Sequence, residues 1–88
     1  GKVLHLDEMH FISGNPWGET TGPVEIMFKN RHTPILTKAK FTHLHDGEWV
    51  IESENDVQGI APGQFAVIYD AQGHECYGSG VITGQKVD

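Results

Sequence analysis

An 88-residue chain with a single cysteine has room for one hydrophobic core and not two, since a domain of this size buries only about 60–65% of the surface its unfolded chain exposes. Its formal charge of −6 excludes nucleic-acid binding by bulk electrostatics, which draws on clustered Lys and Arg. The lone Cys76 excludes an internal disulfide, which makes a reducing, cytoplasmic compartment the expectation. No apolar run approaches the roughly 18 residues of a membrane span, and "GKVLHLDEMH" lacks the apolar centre of a signal peptide, so no membrane partner is expected.

Strand signals run along the chain, and no ten-residue window carries a 3.6-residue period bounded by caps. Val3, Leu4 and Leu6, then Met9 to Ile12, give two short apolar segments ahead of the loop "SGNPWGETTGP", in which Trp17 is placed to plug a barrel end. From Val24 the alternation of Val24, Ile26 and Phe28 against Glu25, Lys29 and Arg31 has the period of a half-buried strand, with Met27 an apolar exception on the outer face. After "HTP", the segment "ILTKAKFTHLH" sets Ile35, Ala39 and Phe41 on one face and Lys38 and Lys40 on the other. Asp46-Gly47 suits a type I′ hairpin turn into "EWVIES", and Pro62-Gly63 fits the centre of a type II turn before "QFAVIYD". "AQGHE" turns into the last strand, "CYGSGVIT", whose glycines suggest a bulge or a tight barrel corner. About five to seven short strands, with turn signals roughly every 8–12 residues, define an all-β chain forming a small antiparallel β-barrel or sandwich.

Most motifs in the chain have an unremarkable explanation. "GSGVITG" lies in a β-branched run without the following helix that a phosphate loop needs, and Ser79 lacks the strand-to-helix turn of a nucleophile elbow. Cys76, between Glu75 and Tyr77, has no neighbouring cation to lower its pKa and is expected to be buried filler. His43-x-His45 with His74 offers imidazoles but no second ligand pair at metal spacing, so no metal site is assigned. Glu48, Glu52 and Glu54 are expected on the solvated face of an edge strand, with nothing marking an acid/base pair. No catalytic residue is assigned.

Charge patterning supplies the candidate site. Lys29, Arg31, Lys38 and Lys40, four of the six strong bases, fall between Ile26 and His45, a stretch without any acid. If the two strands pair, all four share one outer surface, and with His32 they are candidate RNA-phosphate contacts. The competing explanation is ordinary surface charge balanced by neighbouring acids.

"HFISGNPW", "GPVEIMFKNRHTPILTKAKF", "IAPGQFAVIYD" and "CYGSGVI" together resemble the C-terminal β-barrel of tRNA-specific 2-thiouridylases, and the likeness spans nearly the whole chain. Two positions depart from that pattern: Ser79 stands for a usual glycine and His32 for a usual tyrosine. The resemblance implies a fold similar to the second-domain barrels of translation elongation factors. It makes residues 1–88 one barrel domain, the C-terminal fragment of a longer enzyme, which the opening on Gly1 also suggests. The parent would be a transferase that thiolates the wobble uridine of tRNA at C2, using ATP, Mg and persulfide sulfur from a sulfur-relay donor. Its ATP loop and working cysteines would lie in an N-terminal catalytic domain of the same chain. This fragment would hold no cofactor, and it would either help grip tRNA or, alternatively, only brace the catalytic domain through the apolar loop around Pro16 and Trp17.

Overall fold

The computed structural model describes residues 2–45, 47–55 and 60–87, the last three by backbone alone. Six strands, β1 (Lys2–Phe11), β2 (Val24–Asn30), β3 (Thr37–His45), β4 (Glu48–Ser53), β5 (Phe65–Tyr69) and β6 (Cys76–Val87), close into an antiparallel barrel in the order β1-β4-β3-β2-β5-β6. Each strand sends alternate side chains inward, as period-2 geometry requires. The interior is filled by Leu4, Leu6, Ile26, Phe28, Phe41, Ile51, Ile68 and Ile82, all essentially inaccessible. Burying each contributes about 1.5–3 kcal/mol before the cost of ordering the chain.

The structure corrects three expectations. The segments either side of Asp7 are one strand, β1, bent at Glu8, a non-glycine residue at φ 52° whose N–H bonds to Asp7 Oδ1 at 2.8 Å. This bulge spares the chain a second turn and lets one long strand serve two neighbours. β4 is no edge strand, because it pairs with β1 on one side and β3 on the other; a closed barrel removes edges altogether. Ile35, expected inside, is 72% exposed, since β3 starts only at Thr37 and residues 31–36 form a connection longer than "HTP".

The turn chemistry is largely as expected. Gly63 has φ 91°, and Gln64 N–H returns to the Ala61 carbonyl at 3.3 Å. Asp46 of the expected Asp46-Gly47 turn lies outside the described residues; Gly47 has φ 74° and its carbonyl accepts the Met9 N–H at 3.2 Å. Two glycines of β6 mark close approach to β1: a Cβ on Gly78 would run into the His10 carbonyl and sit 2.9 Å from Phe11 Cα, and one on Gly80 would crowd Met9 Sδ at 3.2 Å.

Trp17 closes one end of the barrel. Its ring lies 5.3–5.9 Å from the rings of Phe11, Phe41, Trp49 and Tyr77, mostly edge to face, the arrangement aromatic quadrupoles favour. Trp49 is held further by Phe41 at 4.3 Å and His43 at 4.4 Å, both stacked.

Candidate nucleic-acid interface

β2 carries the first two cations to one end of the barrel wall. Lys29 pairs with Val67 of β5, and its ammonium stands 6.0 Å from the Tyr69 ring centroid. Arg31 follows the last residue of β2, yet its N–H bonds to the Phe65 carbonyl at 3.0 Å and so continues the ladder by one step. Its guanidinium lies 5.4 Å from the Phe65 ring centroid, inside the roughly 6 Å reach of a cation–π contact. His32 is exposed beside it.

A buried amide positions this end. Asn30 is 2% exposed; its Nδ2 donates to Gln64 Oε1 at 2.7 Å and its Oδ1 accepts the His32 N–H at 3.1 Å. Gln64 Oε1 also accepts the Ala61 N–H at 2.9 Å. Meanwhile the Gly63 N–H reaches the Ile82 carbonyl at 2.7 Å, and the Ile82 N–H reaches the Gln64 carbonyl at 2.8 Å. The "APGQ" turn is thereby tied to β6 on one side and to the basic end of β2 on the other. Buried amides are tolerated only with such partners, so this pair fixes where Arg31 and His32 leave the sheet.

The other two cations have different company. On β3, Lys38 lies opposite Met27. Lys40 lies between Glu25 of β2 and Glu52 of β4, neighbours whose Cβ atoms stand about 4.5–5.5 Å away in such pairs. A groove of about 550 Å³ here is lined by Lys38 and Lys40 together with Glu25, Glu52 and Glu54. The four cations do share the outer wall, but among the described residues only Lys29 and Arg31, with His32, form an end without interleaved carboxylates.

Sequence reasoning missed Asn30, Gln64, Phe65 and His10. Phe65 has the look of an ordinary strand residue in the sequence; it is 38% exposed, on the outer face of β5. His10 stands opposite Ser79, which stands opposite Val67. A depression of about 250 Å³ in this wall is lined by His10, Ile12, Arg31, Phe65, Val67 and Ser79, with Cys76 at its margin. Cys76 is accordingly half-buried rather than core filler. No group of three metal-ligating side chains gathers among the described residues. Trp17 is turned into the barrel, and Ile60 is buried, while Pro16 and the tip of the "APGQ" turn stay exposed.

Two titrations are shifted. Desolvation tends to raise the Asp70 carboxyl, but the N–H groups of Glu75 and His74, the His74 charge and the Gly73 N–H outweigh it and hold the pKa below the ordinary 3.8. Asp70 Oδ1 accepts a short hydrogen bond from the His74 N–H at 2.6 Å and a longer one from the Glu75 N–H at 3.2 Å. Burial, then the charges of Asp70 and Glu75, push the Tyr77 phenol above its ordinary 10.0.

A closed antiparallel barrel whose packed interior leaves the accessible polar groups on its wall belongs to the class of small closed β-barrels. The chain belongs to the family described as the aminomethyltransferase beta-barrel domain, which it matches over residues 2–82. It is similar to the tRNA-specific 2-thiouridylase MnmA 2 of Bacteroides fragilis, 48% identical over 82 residues, which is 93% of this chain and 23% of that protein. MnmA 1 of Bacteroides thetaiotaomicron is 46% identical over 94% of this chain and 23% of its own length. The mitochondrial tRNA-specific 2-thiouridylase 1 of Danio rerio is 39% identical over 91% of this chain and 19% of its own length. The chain thus spans about a quarter of the length of the bacterial relatives it matches, and the resemblance carried by "IAPGQFAVIYD" and "CYGSGVI" is borne out.

Proposed function

We propose that this chain is the accessory tRNA-contacting barrel of a tRNA-specific 2-thiouridylase. The parent enzyme would thiolate the wobble uridine at C2 in the cytoplasm, using ATP with Mg and persulfide sulfur passed on by a relay donor. That chemistry would reside in an N-terminal catalytic domain of the same polypeptide, with the barrel supplying grip on the tRNA. The observation that carries the reading is the end of β2, free of interleaved carboxylates among the described residues, where Lys29 and Arg31 flank the buried Asn30 and its hydrogen bond to Gln64.

The geometry narrows the candidate contacts. On this reading Lys29, Arg31 and His32 meet phosphate oxygens; in support, Glu25 and Glu52 offset Lys40, and Glu54 stands in the groove beside Lys38. A tRNA titration of the enzyme carrying this barrel compares Lys29→Ala/Arg31→Ala with Lys38→Ala/Lys40→Ala. The first pair is expected to weaken binding about tenfold or more and to lower the salt slope by about 0.7–0.9 for each phosphate left unneutralised. The second is expected to change affinity less than about threefold. Equal effects from the two pairs would remove the assignment.

A further inference from the structure

We infer that the depression between Phe65 and His10 receives one unpaired nucleobase of the RNA, stacked against Phe65, while Arg31 meets the adjoining phosphate. The inference rests on the tRNA reading above and goes beyond phosphate contact to a base-binding subsite. Its starting point is an aromatic–cation pair: Phe65 is 38% exposed on the barrel wall, and the Arg31 guanidinium stands over its ring, 5.4 Å from the centroid. The ring limits the directions Arg31 can take, so less rotamer freedom is lost when the guanidinium donates to an anion. Lys29 stands further along the same wall, opposite Val67.

The floor and rim suit a planar ring. Val67 supplies an apolar floor and Ile12, 66% exposed, an apolar rim, while His10 and Ser79 add hydrogen-bonding groups. Among the described residues no carboxylate lines the depression; Asp7, the acid at the far end of the Phe65–Val81 row, has its Oδ1 engaged by the Glu8 N–H. The volume of about 250 Å³ falls below the roughly 300–1,000 Å³ of sites that enclose a whole drug-sized molecule. It matches a site that takes a single ring system and leaves the sugar and phosphate outside. Aromatic side chains beside cations are how proteins take splayed-out bases, whereas bases inside an A-form duplex are stacked and closed to such contact. One guanidinium beside an exposed aromatic ring, with no carboxylate in the lining among the described residues, suits a partner that offers both a phosphate and a planar base.

NMR titration of this chain with a short single-stranded RNA bearing one purine among pyrimidines, and with a fully paired hairpin of equal length, tests the subsite. Expected are upfield ring-current shifts of the purine H8 and H2 protons and NOEs from them to the Phe65 ring, absent with the hairpin. Phe65→Ala is expected to weaken single-strand binding by about 5- to 100-fold, with Phe65→Tyr restoring it. RNA binding that depends on Lys29 and Arg31 but shows no base contact to Phe65 in the wild-type chain would overturn the subsite and leave the tRNA reading standing. No RNA binding by the wild-type chain or the parent enzyme would take both down. A change in self-association on Phe65→Ala, with RNA affinity unaltered, would reassign the wall to a protein contact and overturn the subsite as well.

Discussion

The two flanks of the barrel wall carry two strong cations each and differ in what stands beside them. On the β2–β5 flank, Lys29 and Arg31 each stand over an aromatic ring, and Arg31 lines a depression free of carboxylates among the described residues. On the β3–β4 flank, Lys38 and Lys40 share a groove with Glu25, Glu52 and Glu54. A cation's local field is thus set by its cross-strand neighbours, which lie closer than residues four or five apart along the same strand. Counting charges along the chain therefore overstates the β3 flank and overlooks the aromatic support of the β2 flank.

The most disruptive way to probe the comparison is at Gly78, where β6 meets β1 in the lining of the depression beside Phe65. Gly78→Ala places a methyl group against the backbone of His10 and Phe11, and backbone cannot rotate aside as a side chain can. A loss of about 2–3 kcal/mol is expected, read as a fall of about 10–20 °C in melting temperature. Gly84→Ala, where a Cβ meets nothing within 4 Å, is the control and should stay within about 0.5 kcal/mol of the parent. Equal Tm values for the two variants would show that the close approach does not hold the flank.

A smaller effect comes from making the acidic flank resemble the other. Glu25→Gln/Glu52→Gln removes both carboxylates facing Lys40 and should raise RNA affinity about two- to fivefold at low salt, the gain vanishing as ionic strength rises. An unchanged affinity would mean that β3 never approaches the RNA. The smallest expected effect concerns the turn that joins β5 to β6. Because the folded pKa of Asp70 lies below its ordinary 3.8, its contribution is fully present above that value and is lost as pH falls through the folded pKa. Thermal melts from pH 6 to pH 2 should therefore show Asp70→Asn flattening the acid limb of the stability profile. An unaltered limb would assign acid sensitivity to other carboxylates.

Much of the fold is legible because alternation is local. Val24, Ile26 and Phe28 declare the inner face of β2 without reference to any partner, and Pro62-Gly63 declares its turn. Trp17 is legible as a plug, since a tryptophan in a Gly/Pro-rich loop has few other ways to bury its ring. Ile35 misleads because strand period extends on paper back into a connection where no ladder holds it. The candidate site is half legible: Lys29 and Arg31 lie on the expected face, but Phe65 carries no sign of exposure in "QFAVIYD", where apolar residues stand on both sides of the strand.

The all-β class, the turn positions, the inner face of β2 and the family can all be read from the amino acids, because they follow from period, backbone preference and local motif. The neighbours on both sides of β4, and the placing of Lys40 between two glutamates and of Arg31 on a phenylalanine, emerge only in the folded chain. They depend on strand order and register, which are set by how six inner faces pack around one core and cannot be read from any one strand alone.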